Sequence, residues 1–257
     1  MKKIIFLLIF LSGTSAFAQF KINTKTIGAG VKAVKAATIS DAEVISYASQ
    51  YVKWIDEHNP VAPKNDPFAI RLETIRKKFT NSTAFNWNKV KVLLVKDVNA
   101  FACADSSVRV FAGLMKLMTD DEVVAVMTHE MGHVANHDSK DAFRAALLTS
   151  ALKEGVSSQG GTAAALSDSQ LGDLGEAVAN SSFSRKQESK ADEYGYELLK
   201  ANNINPYYMA NAFGVLLKLQ KESGGSSGPK MLSSHPDIEK RVKTASEKAE
   251  KDGFKKP

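Results

Sequence analysis

Thr119-Asp120-Asp121-Glu122 is a capping box, and it opens a run that keeps helical spacing to about Asn136. Inside that run stands His129-Glu130-Met131-Gly132-His133, the pattern H-E-x-x-H. Four residues turn a helix by about 400°, so the two imidazoles lie about 40° apart and about 6 Å along the axis. Both can then reach one Zn²⁺ at about 2.0–2.1 Å. Glu130 projects beside them but off their line, where it can hold a water and take its proton. Gly132 costs about 1 kcal/mol of helix propensity against alanine. Its small size leaves room for another segment to approach.

Two histidines do not complete a catalytic zinc site, which needs a third protein ligand. His137 is the nearest candidate, but three donors in one line along one helix cannot easily surround a tetrahedral ion. The longer H-E-x-x-H-x-x-G-x-x-H spacing is absent, with Asn136 and Ser139 at its glycine and third-histidine positions. His137 therefore reads as a helix-capping or packing residue. Glu188 is the better third ligand, from the helical stretch Ser184 to Ala201. Asp192 stands one turn beyond it, placed to accept the N–H of a ligating histidine and fix its tautomer. Alone, E-x-x-x-D is a common solvated pair; its weight comes from the H-E-x-x-H upstream.

His235, in Ser233-Ser234-His235-Pro236, admits two readings. By itself it is a turn histidine. Functionally it is an imidazole that swings over the zinc, either filling the open position or donating to the oxyanion of a tetrahedral intermediate. Arg241 follows on the same helix, where it stabilises that anion, braces a carboxylate, or is simply solvated.

Composition narrows the setting. The 257 residues are 44% hydrophobic and 24% charged, enough for one sizeable core and unlike a disordered chain or a coiled-coil rod. A single cysteine, Cys103, excludes an intrachain disulfide framework and a cysteine-only metal site. Lys2 and Lys3, the apolar run Ile4 to Leu11 and Ala16-Phe17-Ala18 read as a signal peptide over residues 1–18. That run is shorter than the roughly 20 residues needed to span a bilayer. No cysteine near the cut invites a lipid anchor. The expected location is the periplasm, or outside the cell, with no membrane span. Lys240 to Pro257 carries seven basic and three acidic residues, which accounts for the net charge left once the signal peptide is removed. The body is then neutral and the excess reads as a frayed solubilising tail, which argues against a nucleic-acid partner.

Along the chain, residues 19–40 form a polar lead-in and residues 41–257 a single domain. Helices are expected over Asp41 to His58 (capped by Ser40 with Glu43), Asp66 to Phe79, Ser139 to Lys153, Pro206 to Glu222 and Pro236 to Lys251. Phe68, Ile70, Leu72 and Ile75 are the apolar face of the second. Val90 to Val95, Asn99 to Ala104 and Ser107 to Phe111 read as strands of a small antiparallel sheet, with Asp105-Ser106 as a turn. Leu114 to Met118 is a helical turn. Glu154 to Leu171, rich in Gly, Ser and Ala, reads as a mobile loop or weak helix over the site, and Leu174 to Ala179 as helix. Ser223 to Pro229 is a flexible loop. The fold class is α+β, mostly helical, built around the H-E-x-x-H helix.

Asn99-Ala100-Phe101-Ala102, Val108 to Met118, His129 to His137, Arg185 to Gly195, and Ser234-His235-Pro236 with Arg241 occur in that order over most of the mature chain. This set resembles the HtpX-like and CAAX-prenyl-endopeptidase group of gluzincin zinc metallopeptidases, in its soluble envelope branch. The resemblance implies a zincin-like metallopeptidase domain with one Zn²⁺ per chain, held by His129, His133 and Glu188, with Glu130 as general base. It implies Asp192 as the partner of a ligating histidine, His235 as the residue that gates the metal and Arg241 as its companion. Asn99 to Ala102 is similar to the family's active-site edge strand, which can pair with an extended substrate backbone. No transmembrane helix, lipid-bearing cysteine or helical repeat accompanies the domain, so membrane tethering and repeat-mediated docking do not carry over. The expected activity is an exported endopeptidase acting on unfolded or misassembled envelope proteins. The alternative is a zinc-dependent chaperone or assembly factor that rarely cuts, and a small-molecule zinc hydrolase is a third reading.

Overall fold

The computed structural model describes residues 39–79, 83–154, 165–223 and 230–257. The signal peptide, nearly all of the lead-in, and the Gly/Ser-rich segments 155–164 and 224–229 lie outside the described residues. The chain from Ile39 onward forms one compact unit.

Helix α1 (Asp41–His58) begins at the Ser40–Glu43 capping box, and α2 (Pro67–Arg76) at Asp66, whose carboxylate accepts from the Phe68 N–H. Both starts follow the sequence signals, because a short polar side chain satisfies N–H groups that the first turn leaves unpaired. Helix α2 stops three residues before the expected end. Ile70 is 56% exposed and not part of the core.

Strands β1 (Val90–Leu93), β2 (Ala100–Ala102) and β3 (Val108–Phe111) form a sheet in the order β1-β3-β2. The β2–β3 hairpin is antiparallel as expected, turning at Asp105-Ser106 with Ser106 left-handed at φ 63°. The β1–β3 pair is parallel, so the sheet is mixed. The cause lies in the connection between β1 and β2. Helix α3 (Ala112–Leu117) continues β3, and the Gly113 N–H bonds Val95 O at 2.9 Å. A Cβ at Gly113 would lie 2.1 Å from Lys96 O, so only glycine lets this connection cross the end of β3. The chain then returns as β2 on the far side, which leaves the doubly buried β3 in the centre.

Helix α4 (Asp120–Ala135) starts at the Thr119–Glu122 capping box and is buried continuously from Val123 through His133. A helix buried around its circumference shows little amphipathic pattern. It packs against the sheet and against α7 (Arg185–Ala201) and α8 (Tyr207–Glu222). Val124, Val126, Met127, Leu199, Met209, Phe213 and Leu216 form the main core there, each buried side chain contributing about 1.5–3 kcal/mol. Arg71 ties α2 to the start of α4 by donating to Asp120 Oδ1 at 2.6 Å and to Met118 O at 2.6 Å.

Helix α5 (Asp138–Glu154) and α6 (Asp168–Ala179) join α1 in a second apolar cluster with Val44, Tyr47, Tyr51, Phe143, Leu147, Leu171 and Leu174. Helix α6 is longer than the expected Leu174 to Ala179 because Ser167 and Gln170 form a capping box ahead of it. Asp56 on α1 accepts two bonds from the buried Arg109 of β3, at 2.7 and 2.9 Å, and fastens this layer to the sheet. Helix α9 (Lys230–Ser234) leads into α10 (Ile238–Lys251). The helix expected over Pro236 to Lys251 is present from Ile238, and the stretch read as a frayed tail is docked rather than free. Its Ile238, Arg241, Ala245 and Ala249 are buried, and α10 packs on α8. The period-three and period-four spacing of those four residues is what docks it.

Candidate active site

The site forms where α4 crosses α7. A Cβ at Gly132 would come within 2.6 Å of Ala191 O and 2.7 Å of Ala191 Cα, and one at Gly195 within 3.0 Å of the His129 backbone nitrogen. Two glycines thus let two helix backbones nearly touch, which puts Glu188 of α7 beside His133 of α4. His129 and His133 are fully buried, and Glu130, Glu188, His235 and Arg241 are each at most 6% exposed.

Four donors face one another. His129 Nε2 and His235 Nδ1 are 3.2 Å apart, His235 Nδ1 and Glu188 Oε1 are 3.0 Å apart, and His133 Nε2 and Glu188 Oε1 are 3.3 Å apart. His129 Nε2 to Glu188 Oε2 is 3.6 Å. Tetrahedral zinc with ligands at about 2.0–2.3 Å needs donor–donor separations of about 3.3 Å. One donor atom from each of the four residues lies within 4.8 Å of the others.

The outer edges of the imidazoles fix their tautomers. His129 Nδ1–H donates to Asp192 Oδ1 at 2.9 Å, and His133 Nδ1–H donates to Asp138 Oδ2 at 3.1 Å. Each Nε2 then turns a lone pair into the cluster. His133 Nε2, Glu130 Oε1 and Glu188 Oε2 are buried without a hydrogen-bond partner, although Glu188 Oε2 is also in ion-pair contact with Arg241 Nη1. A lone pair facing a carboxylate oxygen at 3.3 Å in a dry pocket is repulsive unless a positive charge lies between them. The donor set therefore fits a divalent cation.

Charges around the cluster set the protonation states. Burial, and then Arg241, push His129 down to about 4, against the pull of Asp192, so its ring is neutral near pH 7. Burial would also lower His133, but Glu188, Glu130 and Asp138 outweigh it and the net shift is upward. Burial would raise Glu188, yet the facing imidazoles of His133 and His235 and the charge of Arg241 hold its carboxyl far below the usual range. Asp192 is lowered in the same way, burial being outweighed by Arg241 and His129. Arg241 grips Asp192 with Nε at 2.8 Å and Nη2 at 2.6 Å. Its Nη2 lies 3.2 and 3.3 Å from the two ring nitrogens of His129, so it stands over that ring rather than in line with the Nε2 lone pair. Phe213 covers the guanidinium at 4.2 Å.

All seven residues singled out in the sequence converge: His129, Glu130, His133, Glu188, Asp192, His235 and Arg241. His137 stays outside, exposed, at the C-terminal end of α4 with φ 67°, as a capping role requires. Three neighbours escaped the sequence reading. Asp138 carried the only local signal, an acidic residue just beyond the helix that holds the H-E-x-x-H pattern. Phe183, stacked on His133 at 3.7 Å and 12°, and Phe213, edge-on to His129 at 5.8 Å, are aromatic positions that no spacing marks as special.

Residues 69–249 match the model of peptidase family M48. The chain belongs to peptidase family M48. Metalloprotease LoiP of Escherichia coli is 41% identical over 229 residues, covering 89% of each chain. Metalloprotease YcaL of the same organism is 37% identical over 216 residues, 84% of each. Protease HtpX of Acinetobacter baylyi is 28% identical over 229 residues, 72% of this chain and 73% of that one. This M48 protein is a zinc metalloendopeptidase, and its buried His129, His133, Glu188 and His235 group can hold the metal. No helix among the described residues is long and apolar enough to cross a membrane. Strand β2 is an edge of the sheet, and it packs against α4.

Proposed function

We propose that this M48 peptidase is exported and cuts peptide bonds within unfolded or misassembled proteins of the cell envelope, with His129, His133 and Glu188 holding the zinc. The observation that carries the reading is the set of buried, mutually facing donors with unpaired lone pairs at zinc spacing. The signal-peptide pattern in residues 1–18 supports export.

Bound zinc supplies Lewis acidity, acidifying a water and polarising a carbonyl. Glu130 does the proton work. It follows His129 directly, is buried, and keeps Oε1 free of hydrogen bonds. It takes the proton of the attacking water and passes it to the leaving amine. Asp192 and Asp138 keep the two ligand rings in one tautomer each, and Arg241 holds Asp192 and Glu188 in place. The free edge of β2 pairs with the extended substrate backbone.

His235 has the role of a resting plug. Its Nδ1 stands at ligand distance from two other donors, whereas a catalytic zinc keeps one position open. Substrate entry requires this imidazole to withdraw, after which it and Arg241 donate to the anionic oxygen of the tetrahedral intermediate. The same plugged geometry favours a second reading, a chaperone or assembly factor that rarely cuts. Casein cleavage and zinc content of Glu130→Gln test the proposal. The variant keeps one zinc per chain and loses cleavage, by at least about 100-fold for a general base. Full cleavage by Glu130→Gln refutes the mechanism.

A further inference from the structure

The turn between α4 and α5 is built at a cost. Asn136 and His137 still bond back to Gly132 O and Val134 O, at 2.9 and 3.0 Å, and then the chain reverses within one residue. His137 makes that reversal with φ 67°, a conformation that favours glycine. Its own side chain gains nothing visible from it, being exposed. What the reversal achieves is the placement of the next residue. Asp138 becomes the first residue of α5 and is 7% exposed. Its Oδ2 lies 3.1 Å from His133 Nδ1, five residues back along the chain. A continued helix could not bring those two groups together, because residues five apart lie about 140° apart around the axis.

His133 is then held from three directions. Asp138 takes its Nδ1 edge, Phe183 lies parallel on its face at 3.7 Å, and its Nε2 faces Glu188 Oε1 at 3.3 Å. Asp192 performs the matching service for His129 at 2.9 Å. We propose that Asp138 is a positioning residue for the metal centre, fixing His133 as the Nδ1–H tautomer so that Nε2 is committed to the ion. The left-handed turn at His137 is the device that delivers it. Strain kept in the backbone beside a site is expected where the surrounding structure gains from it. The inference rests on the proposed ligand role of His133.

The test separates this role from the ordinary preference of a carboxylate for a helix start. The full protein is stripped of metal, and zinc affinity is measured by competition with a chromophoric chelator. Asp138→Ala weakens zinc binding by about 10- to 100-fold, the usual effect of losing a ligand's outer partner. Asp138→Asn keeps a carbonyl acceptor for Nδ1–H at the same place and recovers most of that loss. In the zinc-loaded protein the His133 Nδ1–H proton resonance persists in Asp138→Asn and is lost to exchange in Asp138→Ala. Unchanged affinity in Asp138→Ala overturns the inference. So does an equal loss in both variants that tracks a lower melting temperature of the metal-free protein, since that is the signature of a helix-start role. Should the unaltered protein take up no zinc, the metal-centre reading falls first and this inference with it.

Discussion

Gly132→Ala isolates the contact on which the site depends. A methyl group there meets backbone, Ala191 O at 2.6 Å, Ala191 Cα at 2.7 Å and Ala191 C at 3.0 Å, with no flexible side chain to yield. Restoring ordinary contact requires α4 and α7 to part by about 0.8 Å locally, and overpacking of this kind costs about 1–3 kcal/mol. Alanine returns about 1 kcal/mol of helix propensity. The net change in stability of the metal-free protein is therefore small, about 0–2 kcal/mol of loss. The metal centre is far less tolerant. Glu188 and His133 flank this contact on the two helices, and metal–ligand distances hold within about 0.2 Å. A displacement several times larger detaches Glu188 or distorts the set, and zinc affinity falls by at least about 10- to 100-fold, the range for losing only an outer partner. Gly214→Ala is the matched control, because a methyl there in the middle of α8 meets nothing within 4 Å. It gains the full propensity of about 1 kcal/mol and leaves zinc binding alone. Thermal melts of the metal-free proteins, with chelator competition for zinc, read both quantities. If Gly132→Ala gained stability as Gly214→Ala does and bound zinc as tightly as the unaltered chain, the close crossing would not be what assembles the site.

Two further outcomes follow from the same geometry. His235→Ala keeps one zinc per chain on the remaining three donors but surrenders it faster to a chelator. A rise in peptidase activity marks the resting plug, a fall marks a donor to the anionic intermediate alone, and no change in either measurement discards both roles. Asp56 sets an acid limit on the fold. Burial pushes its carboxyl up, but Arg109 and Lys91 outweigh that and hold it below the usual value. The folded state thus binds fewer protons than the unfolded one, so this stabilisation is complete above about pH 4 and is lost as pH falls through the lowered value. Urea midpoints of the metal-free protein fall below pH 4, and Asp56→Asn, already weakened at neutral pH, shows a shallower fall. An equal acid slope in both proteins would remove Asp56 from the account.

Much of this was legible in the chain because the signals are local. Capping boxes at Ser40 and Thr119 place two helix starts to the residue. The four-residue spacing of His129 and His133 is a property of one helix, and so is that of Glu188 and Asp192. What joined the two pairs was resemblance together with the chemistry of zinc, since nothing in either helix says that the other lies beside it. Gly132 hinted at a close approach without naming Ala191 as the partner. The parallel β1–β3 pairing was illegible for the same reason. It follows from a loop crossing over Gly113, a tertiary event that alternation within three short strands does not encode. The C-terminal helix was placed correctly, but its docking was missed because lysines dominate its composition while Arg241, Ala245 and Ala249, on its inner face, carry its packing.

The deepest conflict in the chain lies in α4 itself. A helix buried on every side should be apolar throughout, yet Thr128, His129, Glu130 and His133 are all buried in its second half. Burying such groups without partners costs about 1–3 kcal/mol each, and more when charged. Asp192, Asp138 and Arg241 offset part of this, and each comes from a different helix, so the polar cluster is also a junction of α7, α5 and α10 with α4. Around the space among the donors, His133 Nε2, Glu130 Oε1 and Glu188 Oε2 still lack a hydrogen-bond partner, although Arg241 pairs with the last of them. A sequence optimised for stability alone would have filled that space with leucine. Its retention of lone pairs there, against the local preference of every neighbouring core position, is the physical trace of a cation that completes the fold as well as the chemistry.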